Sequence, residues 1–239
     1  MLIVIGVLVT LTLASLMAAE PAYAAVTCGG TITSDATLTA DLTCTTGTGI
    51  TVGAGSITLD CAGHTITGPG VGSSDYGIHV RNQGVVTMKN CVLKNWRLGL
   101  YCEAHCRFNT FIGNTATGDG NGFDFYSDSG QNTLSDNTAS GNTGIGFYFE
   151  VDSGVVTLTH NIATGNKDGF EWRYTSGGNT LTGNSASENT ENGFYFTQTS
   201  SGNTLEGNTA SSNGQNGFYF LAPRMETPLP PVTLPETTT

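Results

Sequence analysis

From about residue 78 the chain repeats one pattern of apolar and polar positions. Gly-Phe pairs begin at Gly122, Gly146, Gly169, Gly193 and Gly217, spaced by 24, 23, 24 and 24 residues. Weaker copies stand at Gly77-Ile78 and Gly99-Leu100. A second element, Asn-Thr-Leu-x-x-Asn, begins at Asn132, Asn179 and Asn203, with variants at Asn109 and Val156. Within each period, apolar and polar residues alternate over short segments, which is the period of a strand and not of a helix. Self-similarity at this length predicts a stacked array of short strands.

Three segments per period each give a column of like residues. The first runs Met88, Phe111, Leu134, Leu158, Leu181, Leu205; the second runs Val92, Ala116, Ala139, Ala163, Ala186, Ala210. The third is doubled: Leu100, Phe123, Phe147, Phe170, Phe194, Phe218, and then Cys102, Phe125, Phe149, Trp172, Phe196, Phe220. A leucine-rich repeat has a similar length but needs a Leu-x-x-Leu-x-Leu pattern, which is missing. One large, one small and one aromatic strand per turn describe a coil of triangular section. The expected fold is all-β: a parallel β-helix, or solenoid, with three short strands per coil, about 23–24 residues per coil and about seven coils.

Two Asn series fit the same stack: Asn90, Asn114, Asn137, Asn161, Asn184, Asn208, and Asn95, Asp119, Asn142, Asn166, Asn189, Asn213. Amides piled at strand spacing can bond up and down the pile, and Asn tolerates left-handed turns. These ladders are read as structural.

With these residues the chain resembles the right-handed parallel β-helix repeat proteins of the pectin lyase-like superfamily, with NosD-like, carbohydrate-binding and sugar hydrolase-type repeats. The resemblance covers roughly residues 45–221, and the run from Ile57 to Ile66 followed by Val86 to Cys91 looks like the first coils of exported members. It implies the fold. The group holds lyases, hydrolases, epimerases, adhesins and binding proteins, so the fold selects no activity.

Composition narrows the rest. The chain has 239 residues with 19 acidic and 8 basic, a net charge of −11, so it has no basic stripe for nucleic acid. Residues 2–18 are almost wholly apolar and lead into Ala22-Tyr23-Ala24-Ala25, as in a secretory signal peptide cut after Ala24, although no Lys or Arg precedes them. No later stretch is apolar enough to span a bilayer. The expected organisation is a signal peptide over 1–24, an N-terminal cap over 25–49, the β-helix over 50–221 and a Pro/Thr-rich linker or tail over 222–239. Six Cys lie in the first half, an even count that suits disulfides in an exported protein but allows 15 connectivities. The repeat favours Cys28 with Cys44 across the cap, Cys61 with Cys91 on neighbouring coils, and Cys102 with Cys106.

Residues between the buried aromatics are expected to point outward in two further columns. One is His79, Tyr101, Asp124, Tyr148, Glu171, Tyr195, Tyr219; the other is Arg81, Glu103, Tyr126, Glu150, Arg173, Thr197. Only 11% of the chain is charged, so a face that gathers aromatics, carboxylates and Arg is the best candidate site. Three readings compete for it. As a binding platform, Tyr101, Tyr126, Tyr148, Tyr195 and Tyr219 stack sugar rings, while Asp124, Glu150, Glu171 and Arg173 bond to hydroxyls. As an enzyme on an acidic polysaccharide, Glu150 and Glu171 serve as a glycosidase pair or Arg173 as the base or cation of a lyase or epimerase. As a strand surface, Tyr is simply a good β residue. The dense Asp clusters of polygalacturonases and pectate lyases are missing, which favours the platform: a secreted, cell-surface or periplasmic module that meets an extracellular polysaccharide or cell surface without a cofactor. A last reading sets His79, Cys102, His105 and Cys106 around copper or zinc; oxidised Cys102–Cys106 competes with it. His64 and His160 read as turn or surface residues.

Overall fold

Short segments with one apolar side, separated by Gly, Asn and Asp, bury that side when the chain coils and each turn lies on the last. The computed structural model describes residues 26–174, 176–197 and 200–221. The expected signal peptide and tail lie outside the described residues. All described elements are strands, arranged in three parallel sheets of nine, eight and eight strands. Every third strand along the chain joins the same sheet, so the chain is a parallel β-solenoid with three strands per coil.

The aromatic sheet begins with Gly30–Ile32, Ile50–Val52, Tyr76–Arg81 and Leu98–Glu103. It continues through Asn121–Tyr126, Phe147–Glu150, Phe170–Arg173, Phe194–Phe196 and Phe218–Phe220. Its inward rings stack coil on coil: Phe123 on Phe147 with centroids 4.8 Å apart, Phe147 on Phe170 at 4.7 Å, Trp172 on Phe196 at 4.5 Å. That is the spacing of neighbouring strands, so in-register pairing itself brings like rings into contact. The second sheet supplies Met88, Phe111, Leu134, Leu158 and Leu181 to the core, and the third supplies Leu93 and a run of alanines where the triangle is tight.

Residues 26–49, the expected cap, occupy the end of the stack and carry its first strands, Gly30–Ile32, Ala36–Thr37 and Leu42–Thr43. These pair with the following coil in all three sheets. Three sheets of eight or more strands therefore make one more coil than the seven expected. At the other end of the described residues, Phe218, Tyr219 and Phe220 have no further described coil above them and are exposed.

Many corners in the middle of the stack share one chemistry. A residue in the left-handed region turns the chain, and the Asn that follows holds the neighbouring coil through its side-chain amide. Asn137, Asn161 and Asn184 accept a backbone N–H through Oδ1 from the coil before, and each Nδ2 donates to the next rung or to a strand carbonyl. Fully buried amides are tolerable here because both ends are bonded.

The ladders correct three positions at their first coil. Cys91, not Asn90, takes the rung whose N–H meets Asn114 Oδ1, and Trp96, not Asn95, takes the rung that meets Asp119 Oδ1. Asn90 (φ 56°) and Asn95 (φ 60°) are the left-handed residues just before those rungs. The same one-residue shift moves the second column's first member from Val92 to Leu93, which pairs with Ala116.

Disulfides join Cys28 to Cys44, Cys61 to Cys91 and Cys102 to Cys106, as the repeat suggested. No described cysteine is free. Three such bonds belong to an oxidising compartment outside the cytosol.

Candidate functional site

Strand alternation sends every second residue of the aromatic sheet away from the core, and parallel pairing sets those residues one above the next. His79 pairs with Tyr101, Tyr101 with Asp124, Asp124 with Tyr148, Tyr148 with Glu171, Glu171 with Tyr195 and Tyr195 with Tyr219. The second column is equally in register, from Arg81 through Glu103, Tyr126 and Glu150 to Arg173. The structure thus brings the expected residues onto one face.

Their exposure differs from expectation in the middle. Asp124, Tyr148 and Glu171 retain only 6%, 8% and 1% of their surface, whereas Tyr126 and Tyr219 retain 39% and 37%. Side chains one strand apart close over one another. The Arg173 guanidinium stands 5.6 Å above the Tyr148 ring and its Nε donates to Glu171 Oε1, while Asn121 Nδ2 donates to Asp124 Oδ2 at 2.9 Å. Tyr101 and Tyr195 are half-buried. The accessible rings therefore flank a sealed polar centre.

Burial sets the electrostatics of that centre. It pushes Asp124 up to about 7, with nearby Glu150 adding to the rise and the bond from Asn121 and the charge of Arg97 opposing it. Glu171 is raised by burial against the pull of Arg173. Burial also holds the Tyr101 and Tyr148 phenols well above their ordinary value, so they act as neutral donors.

Toward the N-terminal end the face becomes an aromatic cluster. The Tyr76 ring lies 4.7 Å from Tyr101, and Tyr101 stacks on His79 at 5.5 Å. His79 Nε2 and Glu103 Oε1 are 2.9 Å apart, and Tyr101 donates to Glu103 Oε2 at 3.0 Å. Arg97 sits over Tyr76 with its guanidinium carbon 4.9 Å from the ring. Tyr76, Arg97 and Asn121 were not among the expected site residues. Arg97 lies in the turn before its strand, outside the alternating segment, and only its place two residues before a repeat glycine marks its column.

The family described as "Periplasmic copper-binding protein (NosD)" matches residues 26–170 and again residues 125–226. The chain belongs to the NosD family. No curated protein matches it. The family is periplasmic by description, which agrees with the three disulfides. Among the described residues no helix is long and apolar enough to cross a membrane.

The donors described do not fit a copper ion. Cys102 and Cys106, proposed from sequence as soft ligands, are bonded to each other and fully buried. Met88 is enclosed in the core. The four His are spread over the coils, each beside one carboxylate: His64 by Asp41, His79 by Glu103, His105 by Asp128, His160 by Asp136. His79 and His105 therefore turn to different partners and form no set with the sulfurs. No group of three or more His, Cys, Asp or Glu among the described residues is placed to hold a metal.

Proposed function

We propose that this NosD-family chain is an exported, non-catalytic module whose aromatic-sheet face binds an extracellular polysaccharide. The register of the accessible outer residues carries the reading: Tyr126 beside Glu150 and Tyr195 beside Tyr219, each pair on adjacent coils at strand spacing, suit a ligand that itself repeats. Tyr126 is exposed, and Tyr195 and Tyr219, stacked on each other at 5.2 Å, add a shared aromatic surface with polar hydroxyls, the kind of surface sugar rings require. Glu150 and Arg173 supply bonds to hydroxyls. The sealed centre favours binding over hydrolysis, because Glu171, one member of the expected carboxylate pair, is buried and engaged by Arg173.

The family description favours copper as a second reading. A screen of the purified chain against uronic-acid and neutral polysaccharides separates these readings. Binding without product, weakened by Tyr126→Ala and Tyr195→Ala, supports the platform. Release of unsaturated uronates or reducing ends assigns an enzyme to the face. Stoichiometric copper retained through dialysis, with no glycan bound, assigns the metal reading.

A further inference from the structure

The turn that precedes the aromatic sheet changes character along the stack. Arg97, Gly120, Gly144 and Lys167 occupy one position on four successive coils, linked by backbone bonds from Gly144 N–H to Gly120 O at 2.7 Å and from Lys167 N–H to Gly144 O at 2.8 Å. The two glycines are imposed by close packing: a Cβ on Gly120 would lie 2.2 Å from Arg97 O, and one on Gly144 would lie 2.3 Å from Asn121 Oδ1. Two coils without side chains leave an open notch of about 340 Å³, lined by Arg97, Leu98, Gly120, Asn121, Thr143 and Gly144.

Arg97 lines the notch, whereas Lys167 stands on the coil next to Gly144, and the two cations differ. Lys167 is paired with Glu191 at 3.6 Å. Arg97 makes no ion-pair contact with a carboxylate among the described residues, although its charge reaches the buried Asp124, and its Nε is shut off from solvent without a hydrogen-bond partner. A buried N–H without an acceptor is unfavourable, so the guanidinium gains by reorienting toward one. Arg97 lines the notch, and its two terminal nitrogens form a donor fork that matches the two oxygens of a carboxylate. The Tyr76 ring beneath the guanidinium holds it beside the aromatic cluster of Tyr101 and His79.

We propose that Arg97 and the Gly120–Gly144 notch form a carboxylate subsite that selects a uronate-bearing polysaccharide. The inference rests on the platform reading and names its ligand class: the carboxylate meets Arg97 while the sugar ring lies toward Tyr76 and Tyr101. The net charge of −11 repels a polyanion at long range, but that repulsion is screened within about 8 Å at physiological salt. Local pairing with Arg97 therefore decides.

The test follows the Arg97 Nε–H resonance in ¹⁵N-labelled protein, assigned by its absence in Arg97→Lys. The probes are an oligogalacturonate, the neutral oligogalactoside of equal length and a Glu-rich peptide. The subsite predicts a saturable shift with the oligogalacturonate and a preference of about 10-fold over the neutral sugar. Arg97→Gln should erase that preference while keeping neutral-sugar affinity and the dispersed amide spectrum. Equal binding of both sugars with an unmoved Arg97 signal overturns the subsite and leaves the platform standing. Binding of neither sugar overturns both. An equal Arg97 shift with the peptide overturns the assignment to a sugar.

Discussion

Asp119 and Asn142 hold the same rung on adjacent coils, and the Asp119 backbone N–H donates to Asn142 Oδ1 at 2.8 Å. Asn142 Nδ2 in turn donates to Ala116 O at 3.3 Å and to Asn166 Oδ1 at 2.9 Å. Asp119 Oδ1 accepts from Trp96 N–H at 2.7 Å, but its Oδ2 is buried without a partner. That oxygen sits where an Asn rung carries its donor. A carboxylic acid can donate there and a carboxylate cannot. Burial accordingly pushes Asp119 up to about 7, against the bond from Trp96.

Asp119→Asn restores the donor and removes the buried charge. Urea denaturation at pH 8 should show a gain of about 1–3 kcal/mol, the cost of one unsatisfied buried group. A loss of stability would show that Asp119 has a partner that the amide cannot replace.

The sign of the pH dependence follows. Asp119 and Asp124 are raised from 3.8 to about 7 by burial, so folding favours their protonated forms. Their contribution is complete below the unfolded value near 3.8 and is lost as pH rises through about 7. Each adds a slope of up to about 1.4 kcal/mol per pH unit between these limits. Denaturation midpoints across that range should fall with pH, and fall less steeply in Asp119→Asn. Equal slopes in the two proteins would contradict this account.

Val155 is 60% exposed and turns its corner at φ 59°, where Gly178 and Gly202 stand on the next two coils at φ 73° each. A β-branched residue is strained there. Val155→Gly should raise stability by about 1 kcal/mol, read as a higher melting temperature; a lower one would mean that its side chain packs usefully.

These corners also explain which features the sequence made legible. The columns from Phe123 to Phe220 could be read directly, because in-register stacking repeats the same residue at the same spacing. Asn90 and Asn95 misled by one place, since Asn suits both a ladder rung and the left-handed residue before it. Alternation assigned Asp124, Tyr148 and Glu171 to the outer side, correctly, but it reports a side of the sheet and not what closes over it. Arg97 was invisible to the same pattern because it stands in a turn. Its meaning comes from the absence of side chains at Gly120 and Gly144, which only the stack reveals.

The disulfides should differ in weight. Cys61–Cys91 closes 30 residues and ties two coils, whereas Cys102–Cys106 closes 4. Chain-entropy arguments give about 3–4 kcal/mol for the first and about 2 for the second. Paired Cys→Ala variants, both at buried sites, should rank in that order by chemical denaturation. The reverse order would place the strain or packing terms above loop closure.

The central claim is that the in-register outer columns form a sugar-binding platform. Isothermal titration of the best-binding oligosaccharide into wild type, Tyr126→Ala, Tyr195→Ala and Tyr174→Ala tests it most directly, because Tyr174 is 57% exposed yet lies outside both columns. The account predicts affinity losses of about 3- to 10-fold for Tyr126→Ala and Tyr195→Ala, as expected for a ring contact worth about 0.5–1.5 kcal/mol, and no change for Tyr174→Ala. Equal affinity in all four proteins, or no oligosaccharide bound by any of them, would contradict it.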